Sequence, residues 1–321
     1  MGDSVHHPHD SVVKHTLSNP ATAAAHARPL VEAVAPLLAK AIDWSSLQRQ
    51  STAYISRVLD NTDGDLLFRV SLYTGETGYL YFAHEHQSSN DLLMAFRVME
   101  YQVAAVRQHL REHSKPKPTT IPFVITIVSY AGSEKWTAVT DVADLVAISP
   151  ELREEVEPFL PHLRYVLDDI SATPLADLYA HTSNAPALIL RVLLKVAAKH
   201  EHLVIDLEPL LVAFAQLSTD ELIGFVRYIQ DVSETDDDEL RTFFVRVGPE
   251  AEEAFMTTAN RLVAKGEAKA QVRTLLRLIT LKFGEVPPFM REAIGAADVA
   301  RLDEWFDRAV TAQSLDDLGI A

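Results

Sequence analysis

The sequence predicts an α/β core with elements in the order αβββαβ, followed by an all-helical C-terminal region. Three observations carry that reading. Two runs rich in Val, Leu, Tyr and Phe flank the turn signal Tyr73-Thr74-Gly75-Glu76-Thr77-Gly78, the pattern of antiparallel strands joined by a short glycine-containing loop. An amphipathic stretch from Asn90 to Glu112 separates this pair from another apolar run, Ile121 to Ser129. From Ser149-Pro150 onward, apolar residues recur at helical spacing, as in Ile189, Val192, Leu193 and Val196.

Each element has its own signal. Met1 to Asp10 is polar and His-rich and reads as a tail. His6, His7 and His9 lack the fixed partner ligands that a transition-metal site needs. Asp10 heads a short periodic stretch, Val12, Val13, Thr16 and Leu17. Asn19-Pro20 is an N-cap followed by proline at the first helical position, which predicts a helix through the Ala-rich segment to about Ile42. Thr52 to Val58, Leu66 to Thr74, Gly78 to His86 and Ile121 to Ser129 are the expected strands. In the long helix from Asn90, Leu93, Phe96, Val98, Tyr101, Ala104 and Ala105 form an apolar stripe with Arg97 at its edge. After Trp136 the strand signal fades. Ser233 to Glu239 reads as a loop and helix start, its acids complementing a helix N-terminus. It lacks the glycine turn and closing Glu of a calcium loop. Val272, Leu275, Leu276 and Ile279 form a second stripe, stopped by Gly284 and Pro287-Pro288, and Asp298 caps a segment carrying Leu302, Trp305 and Phe306. That last stripe is compatible with a homodimer contact or with packing on its own helical region. The expected domains are 1–148, 149–265 and 266–321.

The hairpin carries the candidate chemistry. With a loop centred on Glu76, Leu67 lies opposite Glu85 and Asp65 opposite Gln87, so Asp65, Glu85 and Gln87 share one face of the sheet. A register slip of one residue would place Asp65 on the other face from Glu85. Two carboxylates on a rigid sheet suit a hard divalent cation such as Mg2+, with Mn2+ or Ca2+ as substitutes. His84 and His86 alternate to the opposite side. Neither His84-Glu85-His86 nor His200-Glu201-His202 has the i, i+4 spacing of a helical zinc-protease motif.

Asp65-Leu66-Leu67-Phe68, then Glu85-His86-Gln87-Ser88-Ser89, then Asp91-Leu92-Leu93-Met94 with Arg97 and Tyr101, resembles the Rpn family of recombination-promoting nucleases, also named as transposases. The resemblance extends to His9-Asp10-Ser11-Val12-Val13-Lys14 and to Ile121 through Val128, and covers most of the chain. It implies a PD-(D/E)XK nuclease core, a four-stranded mixed sheet flanked by helices, and metal-dependent cleavage of DNA. By that resemblance Asp65 stands for the motif Asp, Glu85 for the (D/E) and Gln87 for the Lys. Glutamine supplies a neutral amide in place of a positive charge, so it can orient water or phosphate and leaves charge neutralisation to the metal. An absolute metal requirement follows. Such folds often add a carboxylate from the first helix, for which Asp10 is the candidate; an N-cap role is the equal alternative.

Composition limits the alternatives. At 321 residues with 48% hydrophobic residues, the chain is long and apolar enough for about two globular domains. No cysteine is present, which excludes disulfides, thiol catalysis and cysteine-bound zinc. No apolar run spans a bilayer and the N-terminus lacks the core of a signal peptide, so a cytoplasmic location is expected. The net charge of −16 argues against a nucleic-acid partner at first sight. The acidity is segregated, however: residues 1–150 hold 12 Lys+Arg against 15 Asp+Glu, and residues 151–321 hold 17 against 30. Arg97, Arg107, Arg111, Lys115 and Lys117 follow the candidate site along one helix and its exit loop, as phosphate contacts or as a solvated face.

Overall fold

A proline ends the Ala-rich helix earlier than its composition suggests. Ala35, at φ −145° and ψ 65°, sits outside the helical region before Pro36, as a residue preceding proline must when the ring crowds its backbone. In this computed structural model, which describes residues 8–58, 65–85, 91–115, 118–198 and 200–320 but not the side chains of 56–58, 85 and 262–265, the expected Pro20-to-Ile42 helix is therefore two helices. These are α2 (Pro20–Val34) and α3 (Pro36–Ala41), preceded by α1 (Pro8–Leu17). The Asn19 cap is as expected, its Oδ1 accepting from the Ala21 N–H at 2.9 Å.

The first strand is a correction. The expected strand Thr52–Val58 is a short helix, α4 (Ala53–Val58), and the strand is β1 (Ile42–Gln50) just before it. β1 lacks the alternating apolar pattern because it is an irregular edge strand. Its register against β2 (Leu66–Leu72) jumps between Asp43 and Gln48. Asp43 Oδ1 accepts from the Ser45 N–H at 3.0 Å, and the Ser46 hydroxyl oxygen accepts from the Ser71 N–H at 2.9 Å. Polar side chains thus satisfy backbone groups that a regular ladder would pair, as in an edge bulge. In α4, Ile55 is fully buried among the side chains facing the next helix.

β3 (Thr77–Glu85), α5 (Met94–Glu112) and β4 (Phe123–Tyr130) follow as expected. A further strand, β5 (Val166–Asp169), lies in the half read as all helical. Four residues are too few to show a period, and only pairing with β4 makes them a strand. The sheet has five strands in the order β1-β2-β3-β4-β5; the first three pair antiparallel and β3-β4-β5 parallel. Leu67, Tyr79, Tyr81, Ala83 and Val128 pack against Met94, Ala95, Val98, Tyr101 and Ala105 of α5. The alternating residues Phe68 and Phe82 face the other way, where His26 of α2 meets the Phe82 ring.

The helices α6 (Pro150–Val156), α7 (Leu175–Ala180), α8 (Ala185–Val196), α9 (Val204–Leu207), α10 (Leu211–Phe214), α11 (Thr219–Val232), α12 (Asp237–Val247), α13 (Pro249–Phe283), α14 (Pro288–Ala296) and α15 (Val299–Thr311) complete the chain. Asp236 and Asp298 act as N-caps, accepting from the N–H groups of Asp238 and Arg301 at 2.9 Å each. The chain divides into two compact units, Met1–Ala254 and Phe255–Ala321, whereas boundaries were expected at 148 and 265. The first boundary is absent because α1 packs on α8 and α11 and α2 packs on α8, binding the helices after residue 150 to the sheet's first helices. In the second unit Leu302 and Trp305 are buried with Leu275, Ile279, Met290 and Ile294. Of the last stripe, Leu302 and Trp305 are thus local core and Phe306 is exposed, so packing on its own helical region accounts for most of it. Among the described residues no helix is long and apolar enough to cross a membrane.

Candidate active site

The hairpin loop centres on Thr74 rather than Glu76. Gly75 takes φ +102° and its N–H donates to the Leu72 carbonyl at 2.9 Å. Leu67 therefore pairs with Tyr81, not Glu85, and Leu66 with Phe82. The offset moves each strand by whole pleats, so the facing of every side chain is unchanged. Asp65, next in line after Leu66, is on the face of Leu67 and Tyr81. Glu85 is the last residue of β3, and its backbone pairs in register with Tyr130. Antiparallel pairing brings the start of β2 and the end of β3 to the same end of the sheet.

Asp65 is 7% exposed, and a carboxylate so placed requires donors. The Tyr81 hydroxyl donates to Asp65 Oδ2 at 2.6 Å. Tyr81 stacks on Tyr101, with ring centroids 5.0 Å apart and planes 16° apart. Arg97 Nη2 donates to the Tyr101 hydroxyl at 2.8 Å, and Arg97 Nη1 donates to Asp91 Oδ2 at 3.0 Å. A continuous set of contacts thus links Asp65 through two stacked phenols to an Arg–Asp pair at the start of α5. Burial, reinforced by the charge of Asp65, pushes the Tyr81 phenol far above the ordinary tyrosine range, so it stays a donor.

The remaining candidates separate. Glu85 is placed by its backbone only, and Gln87 and Lys117 lie outside the described residues, as do His6, His7 and His86. Asp10 is in the first turn of a helix that begins two residues earlier, at Pro8, so it is not the N-cap. It sits where a carboxylate offsets the helix dipole. Its helix packs on α11, α8 and α2, whereas Asp65 points to the α5 face. Of the basic candidates, Arg97 is at the Asp65 end of the sheet. The helical rise places Arg107 about 15 Å and Arg111 about 21 Å further along α5, where Arg111 lies 4.4 Å from the Tyr54 ring centroid; Lys115 is exposed just past the helix. Among the described residues no three His, Cys, Asp or Glu side chains converge as a metal site. The donor chemistry of the Asp65 edge, carboxylates with no thiol, fits a hard cation.

Sequence reading passed over Tyr81. Its signal was present, since Tyr79, Tyr81 and Glu85 alternate to one face, and a buried phenol needs a partner. It also passed over a polar cluster on the opposite face. His84, Ser129 and Asp168 stand in register on β3, β4 and β5. Arg191 of α8 donates to Asp168 Oδ1, the Ser129 hydroxyl lies 3.4 Å from Asp168 Oδ2, and His26 Nε2 is 3.5 Å from the same oxygen. Burial pushes the Asp168 carboxyl above its ordinary pKa, opposed by the charge and hydrogen bond of Arg191. Burial, then the charge of Arg191, holds the His26 imidazole well below its ordinary pKa, so His26 is neutral.

Comparison with known proteins places the chain in a family. The family model described as "Putative transposase, YhgA-like" matches residues 7–223. The recombination-promoting nuclease RpnC of Escherichia coli K12 is 31% identical over 265 residues, 81% of this chain and 82% of RpnC. RpnD of E. coli O157:H7, also a recombination-promoting nuclease, is 37% identical over 127 residues, 39% of this chain and 46% of RpnD. RpnE of E. coli K12, named an inactive recombination-promoting nuclease-like protein, is 34% identical over 118 residues, 36% of this chain and 38% of RpnE. The chain thus spans less than half of RpnD and of RpnE. No solved structure matches. With a family model covering most of its length and RpnC alignable nearly end to end, the chain belongs to the YhgA-like transposase family, that of the Rpn recombination-promoting nucleases.

Proposed function

We propose that this protein is a metal-dependent DNA endonuclease of the PD-(D/E)XK type that hydrolyses phosphodiester bonds in a recombination setting. The observation that carries the reading is the buried Asp65 carboxylate, held by Tyr81 at the end of the sheet where β3 finishes with Glu85. Membership of a family with relatives named nucleases supports it. Asp65 and Glu85 are the residues that would hold Mg2+. When bound, such an ion polarises a phosphate oxygen and makes water a better nucleophile at neutral pH. Gln87 orients water or phosphate through its amide, Tyr81 holds Asp65, and Arg97 offers the cation nearest the site for a phosphate oxygen. Asp10, whose helix packs on α11, α8 and α2, is given no metal-holding part in this assignment.

Cleavage of supercoiled plasmid tests the assignment with Mg2+, Mn2+, Ca2+ or EDTA. Wild type is expected to cut only with metal, Asp65→Ala and Glu85→Ala to lose about 10²–10³-fold or more, the scale of one lost charge stabiliser, and Asp10→Asn to lose less. Equal activity of wild type and both alanine variants would refute the active site. A second reading, a non-catalytic scaffold keeping the fold, is favoured by the name of RpnE, and wild type inert in every metal would put it first.

A further inference from the structure

We infer that Tyr81 is the positioning residue for Asp65, fixing the carboxylate in the orientation in which it receives a divalent cation. This rests on the nuclease reading, because it gives Asp65 a metal to hold. A carboxylate at a strand edge has a soft terminal torsion, and a ligand free to rotate binds its ion less tightly than one held by a neighbouring donor. Tyr81 supplies such a donor at 2.6 Å to Oδ2. Its ring cannot drift, because it is fully buried and stacked face to face on Tyr101, whose hydroxyl is engaged by Arg97 and through it by Asp91.

The phenol is also suited in charge. It is neutral, so it orients the carboxylate without competing with a cation for its negative charge, as a lysine or arginine at the same place would. Tyr79 provides the internal contrast. It lies on the same strand and face, but its hydroxyl meets His109 Nδ1 at 2.9 Å, away from Asp65.

The test is titration of the full-length protein with Mn2+ by calorimetry, for wild type, Tyr81→Phe, Tyr79→Phe and Asp65→Ala. Tyr81→Phe keeps the ring stack and is expected to weaken Mn2+ binding about 10–100-fold, the range for removing a partner of a metal ligand. It should also raise the Mn2+ needed for half-maximal cleavage with little change in KM for DNA. Tyr79→Phe should bind as wild type does. If Tyr81→Phe matches wild type in Mn2+ affinity and in the Mn2+ needed for cleavage while Asp65→Ala does not bind, the positioning role is overturned and the nuclease reading stands. If wild type itself does not bind Mn2+, the nuclease reading falls and this inference with it. Should Tyr81→Phe fail to fold, the wild-type protein still decides: Mn2+ binding should perturb tyrosine absorbance, and binding with no such change overturns the role.

Discussion

At the scale of single residues, the two sides of the sheet use buried polar groups in different ways. On the α5 side a neutral phenol holds an acid, and on the α2 side the arginine–aspartate pair holds a neutral imidazole beside it. The second arrangement sets a pH dependence of stability. His26 is held below its ordinary pKa by burial and by Arg191, and His181 is brought down to about 4 by burial and then by Arg191. Both are neutral in the fold, while in the unfolded chain they take up protons below about pH 6.5. The unfolded state therefore binds more protons, and stability falls as pH drops from about 6.5 toward 4, by up to about 1.36 kcal/mol per pH unit for each group. Urea unfolding at pH 7.5, 6 and 5 should show that fall, with a shallower slope in His181→Gln. Equal slopes in the two proteins would show that His181 does not titrate this way.

At the scale of elements, Gly78 illustrates how a sequence signal can be right in place and wrong in cause. It belongs to the turn cluster in the sequence, yet it pairs inside β3 with Val70 and in parallel with Phe123. The Phe123 ring occupies the space a side chain would need, 2.1 Å from an ideal Cβ. Glycine here permits close approach of a ring rather than a left-handed backbone, which is the role of Gly75. Gly78→Ala should destabilise by about 1–3 kcal/mol, the range for overpacking a filled site, and Phe123→Leu in the same chain should recover part of the loss; additive losses in urea midpoints would refute the contact. Similar logic explains the first strand. Thr52 to Val58 has β-branched and aromatic residues but is six helical residues covering α5, whereas polar β1 is a strand because β2 offers it a ladder.

For the whole molecule, the division at residue 254 separates the sheet and its helices from a second unit with its own apolar core. A chain ending at Ala254 should keep cooperative unfolding and Asp65-dependent Mn2+ binding. A non-cooperative melt in that chain would show that the first unit depends on residues beyond it. The acidic excess is concentrated after residue 150, so on the proposed function the phosphate contacts would lie in the first half of the chain, where Arg97 stands at the candidate site.

The sequence by itself determined what depends on neighbours a few residues away. The caps at Asn19 and Asp298, the stop at Gly284 and the α5 stripe follow from capping chemistry and the helical period, and the side of the sheet that Asp65 faces does not depend on the loop centre, because alternation repeats every two residues. Tertiary structure decided what depends on distant partners. Pairing made strands of β1 and β5, helix packing joined the sheet to the helices after residue 150, and Tyr81 met Asp65 across 16 residues and His181 met the His26 carbonyl across 155. The physical reason is that a periodic pattern shows which face of an element is buried, while the donor that satisfies a buried carboxylate is chosen by whichever chain segment folds against it.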